Sequence, residues 1–322
     1  MSDNRFLNYD FKKAEYNSLV AVINKTYCLK HNYDFLYYRS YLDNKDSTTL
    51  NNNIDPNTHI PRHAAWCKIQ SAYLALYEAL QSKTYDYIVY IDSDCIFKDF
   101  GKSLEEFIRP YSNDILISND YPFNSSKACT GFFVCKVNNS SLNFLKDWFN
   151  YDFKGRPNPS YWEQGALWLL YDEGKYDIQL FHNEDYFNDQ PGQFLRHVAT
   201  FVSISLTKSS GNSPDEKTGR NDYFKHFIED RDIDYNSTVN NIKVVEFNTN
   251  SEFFKNTFYL SRPYLFYFDW TSIIKIILLI LCISLVHIYV KTIVRNKRVA
   301  VTLEIGLIIF MVFLACLEPY MK

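Results

Sequence analysis

Tyr85-Asp86-Tyr87-Ile88-Val89-Tyr90-Ile91 runs straight into Asp92-Ser93-Asp94, and that join decides the fold class. The continuous β-branched and aromatic run predicts a strand buried on both faces. Ahead of it, Ala64 to Ser82 repeats Trp66, Ile69, Tyr73, Leu76, Tyr77 and Leu80 at steps of three and four, the spacing of a helix. Further upstream, Tyr16 to Lys30 has helical spacing, and His31-Asn32-Tyr33-Asp34 breaks it before a short strand, Phe35 to Tyr38. Residues 42–61, rich in Asn, Asp and Thr, read as a loop. Downstream, strand-like runs at Ile115 to Ser118, Gly131 to Val137, Ile178 to Phe181 and Phe194 to Val198 enclose helix-like runs at Leu142 to Trp148 and Trp162 to Tyr171. This alternation predicts an α/β domain with a mostly parallel sheet flanked by helices. In such sheets ligands bind at the carboxyl ends of the strands, where Asp92 and Asp94 fall.

From Ser203 to Tyr259 the chain is polar, holds Ser209-Ser210-Gly211-Asn212-Ser213-Pro214 and shows little periodicity, so it reads as a loop-rich extension. The organisation that follows is a domain over 1–205, an extension and linker over 206–270, and a membrane segment over 271–318. Ile273 to Val290 is apolar apart from Lys275 and His287, and Val299 to Leu317 carries one charge, Glu304. Each run approaches the roughly 20 residues that cross a hydrocarbon core at about 1.5 Å per residue. Neither has a polar face to show water, so two transmembrane helices are expected. Lys291, Arg295, Lys297 and Arg298 between them place the connection in the cytosol and both termini on the far side. The polar N-terminus, Met1 to Tyr9, offers no signal for moving the preceding domain across. These two arguments point to opposite sides. Sequons at Asn24, Asn124, Asn138, Asn139 and Asn236 do not decide between them in a chain so rich in Asn.

Apolar residues make up 47% of the chain, and 26 Tyr with 26 Phe supply ample material for a core. A formal charge of −3 provides no basic field for nucleic acid. Seven cysteines are scattered without a C-x-x-C pair, which excludes a zinc ribbon and reads as buried thiols.

Two carboxylates one residue apart, just past a strand end, can face one cavity. There they can hold a divalent cation through oxygen ligands and leave positions open for phosphate oxygens. A metal so placed neutralises the charge that develops on a departing nucleoside diphosphate. Asp after a strand is also a common turn former.

The pair does not stand alone. WCKIQSAYLALYEAL (66–80), YDYIVYIDSDCIF (85–97), CTGFFVCKV (129–137), FLKDWF (144–149), YWEQGALWLLY (161–171) and PGQFLRHVATF (191–201) follow in order. In these motifs the chain resembles the nucleotide-diphospho-sugar transferases of the galactosyl- and xylosyltransferase type, over about residues 10–205. The resemblance implies a GT-A-like (Rossmann-like) fold and transfer of a sugar, with retention, from a nucleoside-diphosphate donor to a hydroxyl acceptor. It implies manganese or another divalent cation at Asp92 and Asp94, with His197 completing the coordination, and Ser93 near the donor ribose. Glu163 and Gln164 match the family's Glu-Gln step, which binds sugar hydroxyls and stabilises the oxocarbenium-like transition state. Lys68 corresponds to a helix lysine reaching toward phosphate or nucleotide, and Asp120 would line the sugar side. Thr130-Gly131 stands where relatives have Asn-Thr/Ser-Gly, so Cys129 replaces an amide at the sugar. Implied partners are the nucleotide-sugar donor, a glycan, glycoprotein or glycolipid acceptor, and a membrane of the secretory (ER/Golgi-type) pathway.

One departure concerns the start. Relatives begin with a nucleotide-holding strand, and this chain begins almost at the following helix. That keeps a second reading open, an inactive membrane-tethered sugar-nucleotide or glycan-binding protein. A haloacid-dehalogenase-type phosphatase also places Asp-x-Asp after a buried strand. Cys95-Ile96-Phe97 after the pair is not its pattern, and Trp162-Glu163-Gln164 would go unexplained.

Overall fold

The computed structural model divides into two compact units, Met1–Ser261 and Arg262–Lys322. It describes residues 1–41, 55, 62–120, 124–151, 161–181, 194–198 and 216–259, all within the first unit. Both apolar C-terminal runs therefore lie outside the described residues. Among the described residues, no helix is long and apolar enough to cross a membrane.

Ser2–Asp3 forms β1 and is followed by α1 (Tyr16–His31) and β2 (Leu36–Tyr41). Then come α2 (Cys67–Ser82), β3 (Tyr87–Ile91), β4 (Cys95–Phe97), α3 (Leu104–Ile108), β5 (Ile115–Asp120) and β6 (Asn124–Lys136). The remainder is α4 (Asn139–Phe149), α5 (Trp162–Asp172), β7 (Ile178–Phe181), β8 (Leu195–His197), α6 (Glu216–Glu229), α7 (Tyr235–Asn240), β9 (Lys243–Asn248) and α8 (Glu252–Phe254).

The strands form three sheets, ordered β1-β2-β9, β3-β6-β5-β7 and β4-β8. The first is wholly parallel. In the second only β5 and β7 run parallel; β6 is antiparallel to both its neighbours. The expectation of a mostly parallel sheet is thus corrected: the sheet carrying Asp92 is mixed. A second correction concerns β3. It is an edge strand, with Tyr87 exposed, Ile88 and Val89 half-buried, and only Tyr90 and Ile91 buried. The apolar run overstated its burial because the antiparallel neighbour covers one side only.

Period-two alternation divides the central sheet between two cores. Leu116, Phe132, Val134 and Phe181 pack with Leu19, Val20, Val22 and Ile23 of α1 on one face. Ile115, Ile117, Phe133, Cys135 and Leu180 pack with α2, α4 and α5 on the other, around Trp66 and Trp148. The result is helix, sheet, helix, with α1 so enclosed that Asn17 through Asn24 are all buried. Helix α1 stops where Asn32 turns left-handed (φ 59°), its N–H bonding back to the Cys28 and Leu29 carbonyls.

The stretch expected to be loop is not loop where it is described. Residues 216–248 hold α6, α7 and β9, and β9 pairs in parallel with β2 from Leu36↔Lys243 to Tyr41↔Asn248. The compact unit accordingly extends well past residue 205. The chain start also differs from expectation: Ser2 and Asp3 pair with Tyr38 and Arg39, adding a short parallel strand before α1.

Candidate active site

Strand β3 delivers the acidic pair at a turn. The Asp92 N–H donates to the Gly131 carbonyl (2.8 Å), and Cys95 N–H closes back on the Asp92 carbonyl (3.1 Å). Ser93, half-buried, and Asp94 are the central residues of that turn. Strand β4 then pairs with β8, setting Cys95 opposite His197, and Val198 N–H bonds the Asp94 carbonyl (2.8 Å). Two residues past β3 and one late strand thus meet side by side. Asn24 holds this corner from α1: its amide donates to the Cys95 carbonyl (2.9 Å) and accepts from Phe97 N–H (3.1 Å). That amide is buried and fully engaged, so the Asn24 sequon is structural.

Asp92, Asp94 and His197 each present one ligand atom, all within 4.8 Å of one another. His197 Nε2 lies 3.0 Å from Asp94 Oδ1. Burial works against the imidazolium, but the Asp94 charge and hydrogen bond outweigh it and hold His197 well above the ordinary histidine pKa. Burial likewise opposes the Asp94 carboxylate; His197 and Arg220 overcome it and lower its pKa. Burial, with the Asp94 charge beside it, raises the Asp92 carboxyl against the pull of Lys68 and His197. Two carboxylates and an imidazole are donors that suit Mn²⁺, and three protein ligands leave coordination positions for a substrate.

Lys68 is buried. Its Nζ lies 2.9 Å from Asp92 Oδ2, 3.0 Å from Glu163 Oε1 and 3.2 Å from Thr130 Oγ1. Burial alone would lower its pKa; Asp92 and Glu163 raise it above the usual lysine value. Thr130 ties the next element in, donating its hydroxyl to Glu163 Oε1 (2.9 Å) and its N–H to Gln164 Oε1 (3.0 Å). Glu163 Oε2 is buried and, among the described residues, has no hydrogen-bond partner. A buried carboxylate oxygen left so is costly unless something else meets it.

The strand supplying Thr130 is bulged. Ile117 pairs with Phe133 but Ser118 with Cys129, so Thr130, Gly131 and Phe132 have no partner on β5. Ser118 Oγ spans the gap, 2.9 Å from the Cys129 carbonyl and 3.1 Å from that of Phe132. A bulge of this kind re-aims side chains beside a site. Gly131 leaves room for the histidine: a Cβ there would lie 3.1 Å from His197 Cε1 and 3.2 Å from Nδ1. The buried Cys129 thiol hydrogen-bonds the His197 ring, so it backs the histidine.

Glu163 is the second residue of α5 and follows two residues of positive φ, Tyr161 (φ 64°) and Trp162 (φ 46°). Such conformations cost about 1–3 kcal/mol each and persist where the surroundings impose them. Both rings stand exposed beside the cluster, and Trp162 lies flat on His63 (3.9 Å between centroids, 5° between planes). The sequence-predicted residues Lys68, Asp92, Asp94, Thr130, Gly131, Glu163, Gln164 and His197 are thus joined in one cluster, with Ser93 on its turn. Asp120 lies at the end of β5, in register with Asn124; the bonds described above do not run through it.

Sequence reasoning missed Arg220. Helix α6 sets its Nη1 3.3 Å from Asp94 Oδ2 and its guanidinium over the Tyr16 ring, 4.8 Å from the centroid. The signal was present: Phe224, Phe227 and Ile228 are buried, and Arg220 precedes them by one turn on the same helix face.

No protein-family model matches the chain, and no curated protein matches it. Among solved structures, it is similar to a glycosyltransferase involved in the glycosylation of the major capsid of PBCV-1. The two share 13% identity and superpose with a TM-score of 0.46, over 66% of this chain and 92% of the other. That likeness is too distant to carry an argument about activity.

Proposed function

We propose that this chain is a glycosyltransferase that uses a divalent cation to move a sugar from a nucleoside-diphosphate donor to a hydroxyl acceptor. The observation that carries the reading is the convergence of Asp92, Asp94 and His197 within 4.8 Å of one another, directly beside the Glu163–Gln164 helix start. A divalent cation held by those three residues would take up the negative charge on the leaving diphosphate. Lys68 pairs with both Asp92 and Glu163 and holds them in place. Glu163 Oε2, buried and unmet, is available to a sugar hydroxyl or to positive charge developing at the anomeric carbon. Gln164, fixed by Thr130 N–H, lies next to it, with Asp120 assigned to the same sugar side and Ser93 to the ribose. Tyr161 and Trp162 offer exposed ring faces at the mouth, which suits an acceptor sugar. Retention of configuration and manganese as the ion follow from the motif resemblance. We further propose that residues 273–290 and 299–317 anchor the domain in a secretory-type membrane; alkaline carbonate extraction of membranes should leave the chain in the pellet.

The test is nucleoside-diphosphate release by the full chain from a panel of nucleotide sugars with Mn²⁺. Release abolished by Asp92→Ala, by Asp94→Ala and by chelation is the expected result. A nucleotide sugar that stabilises the protein by about 2.7 kcal/mol at roughly 100 times its Kd, with no turnover for any acceptor, favours the binding-protein reading instead.

A further inference from the structure

Two cations face the Asp92–Asp94 pair, and they are held differently. Lys68 is buried between Asp92, Glu163 and Thr130, and moving it would strand Glu163. Arg220 reaches Asp94 at 3.3 Å from helix α6. Its planar group lies over Tyr16, a ring that also carries the Arg5 guanidinium at 4.1 Å. Both oxygens of Asp94 are taken by the protein, Oδ1 by His197 and Oδ2 by Arg220. A divalent cation that takes Asp94 through Oδ2, or through both oxygens, competes with Arg220 for the same carboxylate.

We propose that Arg220 is an exchangeable counter-ion. It holds Asp94 while no divalent cation is present, gives that carboxylate up when a cation binds, and turns its guanidinium to the diphosphate of the donor. The inference builds on the reading of Asp92, Asp94 and His197 as the cation site of a sugar-nucleotide transferase. Charge favours the exchange. Asp94 already has Arg220 as a counter-ion, and a divalent cation brings two further positive charges to the same carboxylates. An anion then completes the balance. Arginine's fork of N–H donors matches two phosphate oxygens at once, and Arg220 stands beside the Asp94 carboxylate that would hold the cation. Cation and diphosphate binding are coupled through this residue, each favouring the other reciprocally.

The experiment is calorimetric titration of the full chain, wild type, Arg220→Gln and Arg220→Lys, first with Mn²⁺ alone and then with inorganic diphosphate at saturating Mn²⁺. Removal of a competitor should tighten Mn²⁺ binding to Arg220→Gln by about fivefold. Loss of the fork should weaken diphosphate by about tenfold, with a smaller loss in Arg220→Lys. Opposite signs in the two titrations are the signature of exchange, because a merely structural arginine would weaken both. Unchanged or weaker Mn²⁺ binding by Arg220→Gln overturns the exchange. So does diphosphate affinity equal to wild type. Absence of Mn²⁺ binding by the wild type overturns the cation site itself, whereas Mn²⁺ bound by wild type and lost in Asp94→Asn keeps that site and leaves the Arg220 result to decide.

Discussion

The two aspartates of one turn live in different surroundings. Asp92 faces inward, to a tyrosine from β3, a lysine from α2 and, through that lysine, a threonine from the bulge of β6 and a glutamate from α5. These elements are packed on the central sheet, and Trp148 Nε1 bonds the Glu163 carbonyl (2.7 Å) to join their core to the site. Asp94 faces outward, to His197 and Arg220, which arrive on segments 103 and 126 residues later. The inner half is part of the core and the outer half is assembled on it. Stability and chemistry should therefore separate along this turn.

The largest effect tests the inner half. Lys68→Met leaves Asp92 and Glu163 buried without their cation, and unfolding in urea should show a loss of about 3–5 kcal/mol. A loss below about 1 kcal/mol would remove the distinction between the halves. The outer half should behave in the opposite way. Asp94→Asn should cost about 10²–10³ in nucleoside-diphosphate release while the urea midpoint stays close to wild type. Between them stands Asn24, which holds β4 by its backbone. Asn24→Ala orphans a buried carbonyl and a buried N–H, and about 1–3 kcal/mol of stability should go. The smallest effect sharpens the outer half alone. Gly131→Ala presses on the His197 ring by a few tenths of an ångström, and Mn²⁺ should bind about tenfold more weakly, with little change in unfolding.

The same division explains what could be read from the chain. The inner elements were legible from short-range signatures, a helix around Lys68, a strand ending in Asp92 and a helix from Trp162, while the roles of Lys68, Glu163 and Gln164 came from the motif resemblance. Burial of β3 was misjudged because a run of apolar residues does not say whether the strand has one neighbour or two. The mixed order of the sheet is invisible for the same reason, since strand direction is set by connections and not by composition. Arg220 and β9 were missed because Ser203 to Tyr259 is polar. Its helix shows only a narrow apolar stripe, Phe224, Phe227 and Ile228, and Lys243 to Asn248 mixes exposed and buried positions. The contact of Cys129 with the His197 ring is not legible either: a thiol behind a histidine needs three dimensions to be seen.

Strand β2 has one more consequence. Its outer neighbour β9 is separated from it by 207 residues, as Arg39 and Glu246 mark. At the ribosome's pace of about 5–20 residues per second, roughly 10–40 s pass between the making of one and the making of the other. Throughout that interval the middle strand of a parallel sheet has an open side, the kind of edge to which other chains add. Pairing with β9 closes that side, so the time to translate residues 41–248 sets how long it stays open.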